Sequence, residues 1–341
     1  MPFDQLQRQK LDTNPSLIRL SSGTAIVLGL QQGKLDARPT TAYLMTYKDG
    51  KCTANCCFCA QARGSKGSAE LLSRVTWPTF PIKEALSVLG NEFKQNKIRR
   101  VCIQALNYPE VFAHLEAIVR EIKKEATIPV SVSCQPLEKA NIERMANAGV
   151  DRLGVPLDAA SETIFNRVKG KGGSYSWNNQ FRMLTEALAV FGKGNVSTHL
   201  IVGLGETELE AVHIIQRCVD MSVSPGLFAF TPIRGTGLEK NSPPKLESYR
   251  RMQLARFLIV KGIAQVDGMC FDKDGKIVNF GMPKEVLEDV VLSGEPFLTS
   301  GCPDCNRPFY NEKPSGPIYN YPRKLTYREL RAVRLQFTSS F

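Results

Sequence analysis

Short β-branched segments alternate with longer amphipathic segments along most of the chain, and this alternation limits the possible folds. It predicts a parallel sheet covered by helices. We count eight strand segments, which read "AYLMTY", "RRVCIQAL", "IPVSVSC", "DRLGVPLD", "NVSTHLIVGL", "GLFAFTP", "AQVDGMCFD" and "EPFLTSG". Eight such units in 341 residues favour an α/β fold of the (β/α)8 TIM-type barrel over a doubly wound sheet.

We expect the barrel at residues 41–301, an N-terminal extension at 1–40, and an irregular C-terminal cysteine loop and tail at 302–341. In such barrels, functional residues gather in the loops after the strands, at the C-terminal face. Four chemically interesting positions follow predicted strands 1, 3, 4 and 8: the Cys52–Cys59 segment, Cys134, Asp158 and Cys302. The sequence therefore predicts a site at that face.

Composition narrows the class of protein. Hydrophobic residues make up 43% of the chain, enough for a sizeable core. The longest apolar runs are too short to cross a bilayer, and "MPFDQLQRQK" lacks the apolar run of a signal peptide. We expect a cytoplasmic protein with no membrane partner. In a reducing compartment, clustered cysteines are metal ligands or reactive thiols rather than disulfides.

The chain is basic, with 44 Lys and Arg against 33 Asp and Glu and a formal net charge of +11. A basic surface suggests an acidic partner, which can be a nucleic acid, an acidic protein or an anionic small molecule. A surface tuned only for solubility is the other interpretation. The basic residues are scattered, so charge alone leaves both open.

The segment "CTANCCFC" places four cysteines within eight residues. Taken as ligands, Cys52, Cys56 and Cys59 have the spacing C-x3-C-x2-C, and three thiolates can hold three corners of a cubane iron–sulfur cluster. The fourth iron is then open to a small molecule. Zinc would need a fourth protein ligand. Cys57 is not needed for the pattern, and we expect its side chain to point elsewhere.

This segment, including Phe58 before the last cysteine, resembles the radical S-adenosylmethionine (SAM) superfamily. The resemblance implies a [4Fe-4S] cluster on Cys52, Cys56 and Cys59, with S-adenosyl-L-methionine chelating the open iron. In the family, an electron from the cluster cleaves this ligand to a 5′-deoxyadenosyl radical, which abstracts hydrogen from an unactivated carbon.

Two further segments fit the same family. "HLIVGLGETE" resembles the adenine-binding pattern, which implies that Ile201 lies against adenine and that Gly203 and Gly205 allow close backbone approach. Taken alone, it is only the start of a helix, with Glu206 in the first turn. "GVPLDAAS" resembles the segment whose aspartate contacts ribose, which assigns that position to Asp158.

Within the superfamily the chain resembles biotin synthase. Cys102 and Cys134, on predicted strands 2 and 3, match two of its three auxiliary-cluster cysteines. The third position is Ser197, and the biotin synthase glycines that follow it are replaced by Thr198, His199 and Leu200. The same auxiliary cluster therefore cannot be built in the same way. Without the resemblance, the two strand cysteines would be interpreted as buried core residues.

The C-terminal segment "SGCPDCNRPFYNEKPSGPIYNYP" is expected to be an irregular loop. We predict that Cys302 and Cys305 are ligands of an auxiliary [4Fe-4S] cluster, together with Cys102 and Cys134, with Cys270 as a reserve ligand. Half of a zinc ribbon is the alternative for a C-x2-C pair.

The C-terminal segment resembles the two-protein lipoyl synthases found mainly in archaea and some bacteria, and the whole resemblance spans about residues 43–322. It implies that sulfur from the auxiliary cluster is inserted into an octanoyl chain on a carrier, the glycine cleavage H protein or a lipoyl domain. It also implies a second homologous radical SAM subunit and an electron donor such as ferredoxin. Such carriers are acidic, which suits the positive charge of this chain.

Two weaker assignments concern aromatic and basic side chains. Aromatic residues of the C-terminal segment line the acyl channel or merely cover the barrel mouth; they are Phe309, Tyr310, Tyr319 and Tyr321. The SAM carboxylate has three candidate partners after strand 4, which are Lys169, Lys171 and Tyr175.

Two other functions remain open at this point. One is biotin synthase or another radical SAM sulfurtransferase, although a methylthiotransferase usually carries an RNA-binding domain that we do not find after Pro322. The other belongs to a different class: a non-catalytic iron–sulfur or zinc protein that binds RNA through its basic surface.

Overall fold

Six of the predicted strands form the parallel part of one sheet in the computed structural model, which describes residues 14–170 and 175–337. The strands are β1 (Leu17–Leu20), β2 (Thr41–Thr46), β3 (Leu71–Leu72), β4 (Val75–Thr76), β5 (Thr79–Pro81), β6 (Arg100–Gln104), β7 (Val130–Ser133), β8 (Arg152–Gly154), β9 (Val196–Val202), β10 (Ser224–Ala229), β11 (Cys270–Phe271) and β12 (Ile277–Asn279). The α-helices are α1 (Ser22–Val27), α2 (Ile82–Lys94), α3 (Val111–Glu125), α4 (Lys139–Ala148), α5 (Glu162–Phe165), α6 (Trp177–Phe191), α7 (Glu208–Asp220), α8 (Leu246–Val260), α9 (Lys284–Ser293) and α10 (Tyr327–Leu335). In the described ranges, none of the helices has the length and apolar character that a membrane span requires.

The main sheet has the order β10-β9-β8-β7-β6-β2-β1-β5. Strands β2 and β6 to β10 run parallel, with helices between them, whereas β1 pairs antiparallel with both β2 and β5. All six side chains of β2 are buried, as expected for a parallel strand covered on both faces. The predicted α/β fold with a parallel sheet is confirmed. Strand β1, from the predicted N-terminal extension, packs onto the same sheet.

The predicted seventh and eighth strands do not join this sheet. Within "AQVDGMCFD", only Cys270–Phe271 is extended, and it pairs with β12 in a separate two-stranded sheet. The Asp272 carboxylate accepts the N–H groups of Asp274 and Lys276, which closes the turn locally. "EPFLTSG" begins with a 3-10 turn at Glu295–Phe297, because Pro296 has no N–H to donate to a sheet.

The C-terminal segment occupies the space that these two strands were expected to fill. The Leu227 N–H of β10 donates to the Ser300 Oγ at 2.8 Å, and the Arg307 N–H donates to the Tyr43 hydroxyl of β2 at 2.8 Å. Residues 300–307 therefore connect β10 to β2, and they contain no helix or strand. The expected irregular loop is confirmed.

A buried ion pair ties the second half of the fold together. The Glu208 carboxylate of α7 accepts hydrogen bonds from the Arg251 guanidinium of α8, the shortest at 2.6 Å. It also accepts from the Ser248 hydroxyl and from the Ile277 N–H at the start of β12. The Glu208 carboxylate thus links α7, α8 and β12.

Replacing Glu208 with alanine is expected to lower the free energy of unfolding by about 3 kcal/mol, because the Arg251 guanidinium would stay buried without a partner. Denaturant titration measures this loss. The matched control is Glu143→Ala, which breaks an exposed pair with Lys139 and should leave the stability nearly unchanged. Equal effects of the two substitutions would contradict the role given to Glu208.

Candidate active site

A cavity of about 280 Å³ lies among the parallel strands and the C-terminal loop. Seven of the ten cysteines line it, although they are spread over most of the chain: Cys52, Cys56, Cys59, Cys102, Cys134, Cys302 and Cys305. We call Cys52, Cys56 and Cys59 the loop thiols, and Cys102, Cys302 and Cys305 the inner thiols. Across residues 14–170 and 175–337, no three cysteine, histidine or acidic side chains converge on the point that a single metal ion would occupy.

The loop thiols belong to the segment that follows β2. The Cys52 Sγ accepts the N–H of Ala54 at 3.4 Å and the N–H of Asn107 at 3.1 Å. The Cys59 N–H donates to the Cys56 carbonyl at 3.0 Å, which folds the segment into a turn. Hydrogen bonds to the sulfur favour the thiolate that iron requires. Asn107, beyond the end of β6, was not identified from the sequence because its role depends on strand pairing.

Cys57 is directed away from this cavity. Its Sγ lies 3.8 Å from the Arg167 carbonyl oxygen, and its N–H donates to the Val168 carbonyl at 2.8 Å. The side chain therefore points elsewhere, as expected, and the cysteine joins the loop to residues 166–170.

A nearby cation would help Cys56 and Cys59 to ionise. Burial raises the pKa of Cys59 to about 11 and raises that of Cys56 well above its ordinary value, an effect that the nearby Lys169 ammonium partly opposes. Iron supplies such a cation, since a coordinating thiol is deprotonated by the metal. Three thiols on one short segment, with Cys52 buried and Cys56 and Cys59 half-buried, therefore fit an iron–sulfur cluster.

The inner thiols come from distant parts of the chain. Burial raises the pKa of Cys102, and the neighbouring Cys302 and Cys305 raise it further. Polar groups contact each of these sulfurs. Gln104 Nε2 donates to Cys102 Sγ at 3.2 Å, Ser131 Oγ donates to Cys302 Sγ at 3.4 Å, and the Tyr43 hydroxyl lies 3.4 Å from Cys305 Sγ.

Cys134 lines the cavity but stands apart from both sets of thiols. Burial alone raises its pKa to about 12, with no contribution from another cysteine. The structure therefore groups three of the four cysteines predicted for the auxiliary cluster. The reserve candidate, Cys270, is exposed on β11 and does not line the cavity.

The position of Cys302 differs from the prediction. Thr41 and Arg100, which open β2 and β6, donate to the carbonyl groups of Asp304 and Pro303. Cys302 and Cys305 therefore lie near the amino-terminal ends of β2 and β6. The expected position of Cys302 after an eighth strand is wrong. Cys102 lies on β6, whereas Asn107, which contacts Cys52, lies beyond the carboxyl end of that strand, so the inner thiols and the loop thiols are reached from different ends of β6.

Arg307 is a residue that sequence reasoning missed. Its guanidinium donates to the Ser300 carbonyl and its carbon Cζ lies 3.7 Å from the centre of the Phe228 ring. Burial raises the pKa of Cys305, and the Arg307 guanidinium opposes that rise. A φ of 31° places Arg307 in a sparsely populated backbone region, which is common at functional sites. The "CNR" sequence offered no signal for this contact.

Phe58, Asp158 and Ile201, which the sequence analysis assigned to cofactor binding, line the cavity. Asp158 has a φ of 68°, and its backbone bonds to β9 through the His199 carbonyl and the Ile201 N–H. Their contacts with SAM stay predictions.

Lys169, a candidate partner for the SAM carboxylate, has a partner within the chain. Its buried ammonium lies 2.6 Å from the Asp158 Oδ2, at the end of a π-helical turn over Asn166–Gly170. Such turns are frequent at functional sites. Tyr175 also lines the cavity and accepts a hydrogen bond from Asn107. Lys171 lies outside the described residues.

Gly203, Gly205 and Glu206 form the turn after β9 but do not line the cavity. The Glu206 carboxylate accepts the N–H groups of Gly203 and Leu204. Helix α7 begins only at Glu208, so the expected place of Glu206 in its first turn is wrong. Gly205 has a φ of 110°, a backbone conformation that residues with a side chain rarely adopt, which explains this glycine.

Of the four C-terminal aromatic residues, Tyr310 lines the cavity, and Phe309, Tyr319 and Tyr321 do not. The Tyr310 ring lies 5.1 Å from that of Tyr43. Tyr319 packs against Tyr249 instead, which supports a covering role.

Comparison with known proteins agrees with this geometry. Residues 50–218 match the family model of the radical SAM superfamily. The chain carries a radical SAM domain. Biotin synthase of Aquifex aeolicus is 27% identical over 275 residues, which cover 78% of this chain and 77% of that protein. Biotin synthase of Prochlorococcus marinus strain AS9601 is 26% identical over 313 residues, which cover 88% of this chain and 82% of that protein.

Solved structures support the fold. Methylornithine synthase superposes with a TM-score of 0.51 at 12% identity, over 70% of this chain and 77% of that one. The expected radical SAM domain is confirmed for residues 50–218, and the expected α/β fold with a parallel sheet is confirmed. A radical SAM domain implies a [4Fe-4S] cluster and S-adenosyl-L-methionine.

Proposed function

We propose that this radical SAM protein inserts sulfur into an octanoyl chain held by a carrier protein, as part of lipoyl cofactor biosynthesis. One observation carries the proposal: two sets of three thiols, from distant parts of the chain, line a single cavity. In this assignment the loop thiols hold the radical [4Fe-4S] cluster and the inner thiols hold an auxiliary [4Fe-4S] cluster. When bound, these clusters and SAM would supply a 5′-deoxyadenosyl radical and a sulfide for C–S bond formation.

The apolar part of the cavity wall suits an aliphatic substrate. It includes Met45, Ala105, Phe228 and Phe230. An apolar wall binds methylene groups and excludes water, which protects a carbon radical from side reactions.

The C-terminal loop favours the lipoyl branch over biotin synthesis. Ser197 faces the cavity where the resemblance to biotin synthase places a cysteine, and it cannot serve as a thiolate ligand. Cys302 and Cys305 reach the same cavity from the other end of the chain. The biotin synthase relatives support the alternative, which is insertion of sulfur into dethiobiotin, the sulfur-free form of biotin.

The proposed partners follow from the substrate and the charge. An acidic octanoyl carrier, the H protein or a lipoyl domain, suits a chain of net charge +11. A second homologous radical SAM subunit would place the other sulfur, and an electron donor such as ferredoxin would reduce the radical cluster.

The experiment that tests this proposal offers two substrates to the anaerobically reconstituted protein, with SAM and a reductant. We expect mass spectrometry to find sulfur on the octanoyl-lysine of the carrier, together with 5′-deoxyadenosine, and to find no biotin from dethiobiotin. Carrier without the octanoyl group is the control. Biotin formation without sulfur on the carrier would replace the proposal by its alternative, and 5′-deoxyadenosine without sulfur transfer to either substrate would contradict both.

A further inference from the structure

Strand β9 forms part of the cavity wall. Its side chains alternate in burial, and the half-buried Ser197, His199 and Ile201 line the cavity, together with the buried Thr198. Ile201 lies toward the loop thiols, beside Asp158. His199 therefore stands midway along β9, with Asp158 and Lys169, which are near the loop thiols, and Arg307, which is near Cys305, all close enough to affect its charge.

The His199 ring has a fixed position in this wall. Its centre lies 4.8 Å from that of Phe228 on β10, and Phe228 is held in turn by the Arg307 guanidinium. The residue paired with His199 across the two strands is Gly226, which has no side chain. At this level of β9 and β10, the width of the cavity therefore depends on the imidazole.

The His199 imidazole is uncharged at neutral pH. Burial lowers its pKa to about 4, although the carboxylate of Asp158 opposes that change, and the cations of Arg307 and Lys169 add to it. Methylene groups can pack against a neutral flat ring without burying a charged group, which would be costly. A bulkier substrate would have to displace the ring from its contact with Phe228.

We propose that His199 selects the substrate of this site, admitting a slender unbranched acyl chain and excluding a substrate that carries a ring. The sequence fits this role, because the resemblance to biotin synthase places a glycine at this position. The inference rests on the proposed function for the identity of the favoured substrate. The exclusion of substrates that carry a ring does not depend on the proposed function.

The test compares His199→Gly with the wild type in binding, using reconstituted protein with SAM. The probes are an N-octanoyl-lysine amide and dethiobiotin, each titrated by calorimetry. The wild type should bind the octanoyl probe and show no binding of dethiobiotin. His199→Gly should bind dethiobiotin and lose affinity for the octanoyl probe by about tenfold, as expected when a pocket no longer contacts its ligand.

Two further variants keep the test decisive. His199→Phe restores the ring without the imidazole nitrogens and should again exclude dethiobiotin. His213→Ala, at an exposed histidine of α7, is the control for general effects of losing a histidine and should behave as the wild type. If His199→Gly does not fold, His199→Ala replaces it, with folding checked by thermal melting.

The outcomes separate the selection by His199 from the proposed sulfur chemistry. If dethiobiotin binds equally to the wild type and to His199→Gly, or to neither, selection by His199 is overturned. If the variants follow the expected pattern but the wild type transfers no sulfur to octanoyl-lysine, the proposed function fails and the selection stands. The ratio of 5′-deoxyadenosine to sulfur-bearing product gives a second readout, and it should rise in His199→Gly because a loosely held chain is attacked less often.

Discussion

Replacing any one of Cys52, Cys56 and Cys59 with alanine is expected to abolish the formation of 5′-deoxyadenosine. Each of these thiolates would hold one iron of the radical cluster, so the loss of one leaves a second iron open and the cluster incomplete. The measurement is chromatography of the products after anaerobic incubation with SAM and a reductant, with iron determined on the same sample.

The matched control is Cys57→Ala, which removes a thiol from the same turn. Its Sγ faces the Arg167 carbonyl rather than the cavity, so both the iron content and 5′-deoxyadenosine formation should stay close to those of the wild type. If Cys57→Ala were as damaging as Cys56→Ala, the ligand assignment would be wrong.

Replacing Cys302 or Cys305 with alanine should remove about half of the iron, since two cubane clusters contain equal amounts. Formation of the C–S bond should stop, whereas 5′-deoxyadenosine should still appear, because the loop thiols are untouched. Iron and sulfide analysis together with a product assay measures both effects. Cys102→Ala should behave in the same way, since its thiol neighbours Cys302 and Cys305.

Cys134→Ala is the informative comparison for the inner thiols. Its sulfur lines the cavity, but no other cysteine contributes to its pKa, so this variant should keep most of its iron. A loss as large as that of Cys305→Ala would restore Cys134 to the ligand set. Wild-type protein containing zinc and a single cluster would refute the role of Cys302 and Cys305 in sulfur donation.

The features that the sequence determined are local ones. Cys52, Cys56 and Cys59 lie close together in one short segment of the chain, so their three thiols line the same cavity. The parallel α/β fold follows from hydrophobic periodicity, which each strand or helix carries in its own residues. The sequence also indicates that Cys57 is not a cluster ligand, because Cys52, Cys56 and Cys59 already complete the C-x3-C-x2-C pattern.

The tertiary structure decided the features that depend on long-range packing. Pro296 and the turn at Asp272 keep two predicted strands out of the sheet, and the C-terminal loop fills that space. The loop brings Cys302 and Cys305 to Cys102, about 200 positions earlier in the chain, at the amino-terminal ends of the strands. No local pattern encodes this approach, because it results from hydrogen bonds between the loop and the ends of β2 and β6. The contact of Arg307 with Phe228, and through it the position of His199, exists only after those strands have assembled.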